Sequence, residues 1–159
     1  MDGGRRARPD AGLLDRVCGN RAGHLSIDER AESLELVAAA LRGADAKLGE
    51  EPVVLDVGEL LSGVEFFIVV SGRNTRQVAT IVEAIEEQIT LENERKPIRI
   101  EGLKEPTWVL MDYGDVVIHV FLDETRRYYD LEHLWSSARV LDVAGLLAPE
   151  SGSASAVRD

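Results

Sequence analysis

Apolar residues along this chain recur with two periods, near 3.6 and near 2, and the switches between them divide the sequence into elements. The first run, "SIDERAESLELVAAALRGADAKL", opens with Ser26 and Glu29 at capping-box spacing and sets Ile27, Ala31, Leu34, Ala38 and Leu41 at helical intervals, which predicts a helix. "PVVLDV" and "VEFFIVVS" are short runs rich in β-branched and aromatic residues, separated by "GELLSG", and predict two antiparallel strands. In "NTRQVATIVEAIEEQITLE", Asn74 and Gln77 form a second capping box. Val78, Ile81, Val82, Ile85 and Ile89 share one face there, and Glu83, Glu86 and Glu87 form a solvated surface opposite. "PIRIEGL", "TWVLMD" and "DVVIHVFL" read as three further strands, and "DLEHLWSSA" as a short helix. The order α-β-β-α-β-β-β-α predicts an α/β fold, a single domain with one mixed sheet of about five strands covered by helices.

The ends break this pattern. Residues 1–24 mix Gly, Arg and Asp without either period, and residues 148–159 are small and polar, so both are expected to be disordered around a domain spanning 25–147. The arm carries five Arg against three Asp, or +2, so the remainder carries -13 of the net charge of -11. A chain this acidic repels phosphate, which argues against nonspecific binding to nucleic acid or an anionic membrane and favours a basic protein partner. Asp2, Asp10 and Asp15 also count against reading the arm as a transit peptide. The single cysteine, Cys18, forms no internal disulfide. No apolar run approaches the ~18 residues of a membrane span, so a cytoplasmic protein is expected.

Within the stretch "WVLMDYGDVVIHVF", two strands and a turn carry residues unusual for a core. With Tyr113 and Gly114 as a two-residue turn, Asp112 lies opposite Asp115, Leu110 opposite Val117, and Trp108 opposite His119. One face then holds Val109, Met111, Val116, Ile118 and Val120, all aliphatic and suited to face helices. The other holds Trp108, Leu110, Asp112, Asp115, Val117, His119 and Phe121, a mixture that suits a recognition surface. Facing aspartates repel by up to about 1 kcal/mol, so a metal ion, an Arg or Lys of this chain, or a partner's basic residue is expected to compensate them. Trp108 and Leu110 lie beside them without evident cover, as at a protein interface.

Other candidates for chemistry are weaker. His24, His119 and His133 share no ligand spacing with Cys18, so no metal site and no cofactor is assigned. His119 is expected to be packed and hydrogen-bonded, Leu134 and Trp135 to be core of the last helix, and Tyr128 and Tyr129 to be one buried and one exposed. An enzymatic alternative is a nucleotidyltransferase, with "VVSGRN" as a phosphate turn at a helix N-terminus and Asp112 and Asp115 holding Mg²⁺. Against it, Ser71 precedes Gly72 where that superfamily's turn runs glycine then serine, and the carboxylates are three apart across a turn. Ser71 reads better as the end of a strand and Asn74 as a helix cap.

Three segments in order, "VEFFIVVSGRNTRQVATIVEAIEEQI", "EGLKEPTWVLMDYGDVVIHVF" and "RRYYDLEHLW", resemble the ribosomal silencing factor family, also called Iojap-related, and span most of residues 25–143. The resemblance implies a fold similar to that of nucleotidyltransferases without their catalytic apparatus. It implies a noncatalytic protein that binds the large ribosomal subunit, chiefly through the basic ribosomal protein uL14, and blocks joining of the small subunit, repressing translation. Homodimers occur in the family. The positions matching its contact motif are Trp108, Leu110, Asp112, Tyr113 and Asp115.

Since neither end carries a core pattern, removing residues 1–24 and 148–159 together is expected to leave the calorimetric unfolding midpoint nearly unchanged. A fall of many degrees would show that one of them docks on the domain.

Overall fold

The structure, a computed structural model, describes residues 27–148. The expectations for the two ends, and for Cys18, His24 and Ser26, fall outside them. Helix α1 (Ile27–Ala46) leads into strands β1 (Glu50–Asp56) and β2 (Phe66–Gly72), then α2 (Thr75–Asn93). Strands β3 (Arg99–Glu101), β4 (Trp108–Asp112) and β5 (Val116–Leu122) follow. The short helices α3 (Asp123–Tyr129) and α4 (Leu131–Leu134), strand β6 (Arg139–Leu141) and helix α5 (Val143–Leu147) close the described chain. The six strands form one mixed sheet in the order β3-β4-β5-β2-β1-β6. The α/β reading holds, with six strands instead of about five. The extra strand, β6, has only three residues and too short a pattern to announce itself.

At the sheet centre β2 pairs with β5 in parallel, from Phe66 beside Val116 to Gly72 beside Leu122. Parallel neighbours need a crossover and are buried on both faces, which explains why "FFIVVSG" and "VVIHVF" read as near-continuous apolar runs. The crossover begins with α2, whose start follows the sequence closely. The Asn74 side chain accepts the Gln77 N–H at 2.8 Å, Gln77 Oε1 accepts the Arg73 N–H at 2.7 Å, and Val78, Ile81, Val82, Ile85 and Ile89 are all buried. The helix ends at Glu94, in the left-handed region, whose N–H returns to the Thr90 carbonyl. Strands β1 and β2 are antiparallel, as expected.

The expected face of α1 needs correction. Of the expected face, Leu41 is buried and Leu34 and Ala38 are half-buried, but Ile27 is 86% exposed and Ala31 is also exposed; the buried face is Leu36, Val37, Ala40, Leu41 and Ala44. That second set also has helical spacing, and close packing against α2 selects it. The helices approach so closely at Gly43 that a Cβ there would stand 2.7 Å from the Ala84 carbonyl oxygen. At the other end of α1, Arg30 lies over the Phe66 ring at 4.8 Å, donates to Asp56 at 2.5 Å and also pairs with Glu65. Burial pushes the Asp56 carboxyl up, but hydrogen bonds from Arg30 and Gly58 outweigh it and hold the group below its ordinary value.

The hairpin register also differs. Trp108 pairs with Phe121, Leu110 with His119 and Asp112 with Val117, and the Tyr113 N–H donates to the Val116 carbonyl at 2.9 Å. The two turn residues are therefore Gly114 and Asp115. Gly114 takes a φ of 95° and Asp115 does not take a positive one, the pattern of a type II′ turn with glycine first. The slip moves each partner by two positions, so the face assignments survive, because side-chain direction repeats every two residues. Only the turn residues change role: Tyr113 joins the helix-covered core and Asp115 leaves the sheet face.

Gly43→Ala gains about 1 kcal/mol of helix propensity but forces a methyl group against the α2 backbone, and overpacking of this kind costs about 1–3 kcal/mol. Net destabilisation is expected in a denaturant titration, although Gly→Ala inside a helix ordinarily stabilises. A gain in stability would mean that α1 and α2 shift apart at little cost.

Candidate functional site

The hairpin separates two environments. Val109, Met111, Tyr113, Val116, Ile118 and Val120 join the core beneath α1 and α2. Trp108, Leu110, Val117 and Phe121 belong to smaller clusters on the opposite face, with Val69 of β2, Leu131 of α4 and, at their margin, Trp135.

That second face is covered, contrary to the expectation of an open surface. Trp108 is 4% exposed, and Leu110 and Asp112 are fully buried. The Trp108 ring stacks on Phe121 at 5.0 Å and meets Tyr129 of α3 at 4.8 Å, while its Nε1–H donates to His119 Nδ1 at 3.2 Å. Phe67 meets both the His119 ring, at 4.9 Å, and the Trp135 ring, at 5.5 Å, edge-on. His119 is packed and hydrogen-bonded, as its place in a strand suggested. Burial drives its imidazole down to about 3, so the ring stays neutral, accepting at Nδ1 and carrying its proton on Nε2.

The cover is fixed by a residue to which the sequence reading gave no role. Arg126 is buried, and its guanidinium donates to the Ser71 hydroxyl at 3.0 Å, the Glu50 carbonyl at 3.3 Å and the Glu132 carboxylate at 2.7 and 3.2 Å. One side chain thus ties α3 to α4 and both to the end of β2. A signal for α3 is present in "DETRRYY", where acidic residues open and basic residues close a short helix, complementing its dipole. Without apolar periodicity, that signal is easily passed over.

The two aspartates do not face each other. Asp112 Oδ1 accepts the Gly114 N–H at 2.8 Å, and its other oxygen lies 3.6 Å from Arg99 Nε. In the turn, Asp115 accepts from Arg95 at 2.9 Å and from the Ser33 hydroxyl of α1. Of the three compensations expected for these charges, arginines of this chain therefore supply one for each. Arg95 Nη2 also donates to the Tyr113 carbonyl at 2.5 Å, so it clamps the turn from both sides. Burial, with Glu86 adding and Arg95 opposing, holds the Tyr113 phenol above its ordinary value.

The arrangement gives little support to phosphate chemistry. Ser71 is buried at the end of β2, as expected, and its hydroxyl donates to the Glu50 carbonyl while accepting from Arg126. It therefore braces α3. Of the other expectations, Trp135 is half-buried against Phe67, but Leu134 is 69% exposed and is not core. Tyr128 is 81% exposed and Tyr129 36%, so neither tyrosine is buried.

A mixed sheet with α1 and α2 on one face and an arginine-braced aromatic cover on the other is a regular α/β domain whose hairpin motif is enclosed. The family model "Ribosomal silencing factor during starvation" matches residues 30–159. The ribosomal silencing factor RsfS of Bacillus subtilis is 37% identical over 110 residues, covering 69% of this chain and 90% of its own. A mouse protein named for mitochondrial assembly of the ribosomal large subunit is 28% identical over 120 residues, covering 74% of this chain and 51% of its own. A crystal structure of a Chromobacterium violaceum protein superposes with a TM-score of 0.62 at 30% identity, covering 70% of this chain and 88% of that one. The chain belongs to the ribosomal silencing factor family.

The buried neutral histidine sets a pH dependence. Its pKa falls from 6.5 in the unfolded chain to about 3 in the folded one, so between those values the unfolded state binds the extra proton. The stabilising contribution is fully present above about pH 6.5 and is lost as pH falls towards 3. In that window His119→Phe is expected to reduce the slope of unfolding free energy by up to about 1.4 kcal/mol per pH unit, measured by urea titration at a series of pH values. An unchanged slope would mean that His119 is protonated in the folded chain.

Proposed function

We infer that this protein is a regulatory ribosome ligand which binds the large ribosomal subunit at its uL14 protein and sterically prevents joining of the small subunit, so repressing translation. The observation that carries this reading is the family match over residues 30–159. The name of the mouse relative, which ties that protein to the large subunit, adds weight to the choice of subunit. The acidity of the chain suits a basic protein partner, since opposite potentials speed encounter and set orientation. A steric block needs no catalytic group, and the side chains an enzyme would use here are otherwise engaged: Ser71 braces α3, and Asp112 and Asp115 are held by arginines.

Within this reading Trp108, Leu110, Asp112, Tyr113 and Asp115 form the recognition module, with a division of labour that follows their burial. Trp108, Leu110, Asp112 and Tyr113 shape and stiffen the hairpin from within, and Asp115, half-buried in the turn, lies nearest solvent. The protein acts in the cytoplasm, where ribosomes are found, and no helix among the described residues is long and apolar enough to cross a membrane.

Light scattering of mixed subunits tests the block. Saturating protein without any nucleotide is expected to slow or prevent formation of the joined ribosome, and higher salt to weaken the effect, because exposed charges are screened beyond about 8 Å in physiological salt. Normal joining by saturated large subunits would defeat the reading, and a block that requires nucleotide would revive the enzymatic one.

A further inference from the structure

Where β1 ends and β2 begins, the connection over residues 57–65, the first turn of α1 and the start of β6 frame a cavity of about 540 Å³. Its size falls in the range of small-molecule sites. None of the five residues of the hairpin motif lines it.

The inner wall is fixed by its own contacts. Arg30 lies over the Phe66 ring, donates to Asp56 at 2.5 Å and pairs with the buried Glu65. Gly58 approaches the Glu65 carboxylate so closely that a Cβ there would stand 2.7 Å from Oε1, and the Gly58 N–H donates to Asp56 Oδ1 at 3.2 Å. Two carboxylates and a guanidinium are therefore held in place ahead of any ligand, and binding need not order them. The outer wall keeps spare charge of both signs. Arg139, whose side chain is 72% exposed, donates to Asp56 at 3.2 Å through one of its five N–H groups. Glu59 is exposed on the connection, and Ser137 adds a hydroxyl two residues before Arg139. Leu60 and Ala138 supply the apolar part of the lining.

This balance of charge selects the ligand. Two arginines offset Asp56 and Glu65, so Glu59 alone is left over and the cavity is close to neutral although much of its wall is charged. A phosphate would meet three carboxylates, and a polyamine would meet two guanidinium groups. A small molecule with one charge of each sign avoids both conflicts, since its carboxylate can take a bidentate pair from an arginine while its ammonium pairs with a carboxylate.

We propose that this cavity binds a free α-amino acid, its carboxylate on Arg139 and Ser137, its ammonium on Glu59, and an apolar side chain against Leu60 and Ala138. Such a ligand bridges β6 to the connection after β1, so it stabilises the folded chain by mass action. The site is separate from the ribosome contact, and neither reading depends on the other.

The test uses the full chain with leucine, valine and methionine as probes. Each is paired with its methyl ester, which lacks the carboxylate, and its N-acetyl form, which lacks the ammonium. Thermal unfolding and isothermal titration calorimetry read binding, with spermidine and inorganic phosphate as controls of a single sign. At least one of the three amino acids is expected to raise the unfolding midpoint saturably at concentrations up to about 10 mM, and its two blocked forms to leave it unchanged. Arg139→Gln and Glu59→Gln, both at exposed positions, are each expected to bind that amino acid about tenfold or more weakly while unfolding at the wild-type midpoint without ligand. No saturable shift with any of the three would overturn the proposal, and so would equal binding by an ester or an N-acetyl form. Binding of spermidine or phosphate in place of the amino acids would make the cavity a cation or an anion site and overturn it too. Undiminished amino-acid binding by both variants would put the ligand elsewhere on the chain and overturn the assignment.

Discussion

The parallel pairing of β2 with β5 is the constraint from which the rest of the architecture follows. Two parallel strands at the centre of a sheet cannot be joined by a tight turn, so the chain must leave the sheet, cross and return. Helix α2 begins that excursion and β3 and β4 complete it. Because both central strands are apolar on both sides, each face must be covered: α1 and α2 cover one, and the other is left to the β1–β2 connection, with Val57, Leu61 and Val64, and to the short pieces after β5. The second cover is therefore thin, and it relies on one buried arginine and a few rings where the first relies on two long helices.

That difference explains which features could be read from the sequence. Helix α2 was legible because its cap and apolar stripe agree, with all five expected core residues buried. The hairpin faces were legible even in the wrong register, since a shift of two positions leaves every side chain on its own side. The face of α1 was not, because two apolar stripes have helical spacing and only the contact with α2 at Gly43 decides between them. Helix α3 and strand β6 are short and lack a period, and their positions depend on partners distant in sequence, such as Ser71 for Arg126 and β1 for β6.

The candidate site shows the same limit in chemical terms. Residue types marked the hairpin as unusual, and the unusual residues do touch one another, through Trp108 and His119 and through the clamps on the two aspartates. Trp108 is kept from solvent by α3, which meets it through the Tyr129 ring and is itself held by the buried Arg126, while Leu110 is covered by the cluster around Phe67. Periodicity cannot see such a helix. Exposure of Leu134 and Tyr128 was equally hidden, because in sequence they look like core.

Asp130 closes α3 and opens α4 with a single left-handed residue, so the two helices share one joint and have no linker between them. Such a joint transmits rotation. One residue inserted after Asp130 would turn α4 by about 100° about its own axis. Leu131 would leave the sheet and Glu132 would swing away from Arg126, undoing the brace as well as the packing. Lineages of this fold should therefore accommodate length changes on either side of this corner, in the loops before β4 or after α4, and keep the spacing from Arg126 to Glu132 fixed.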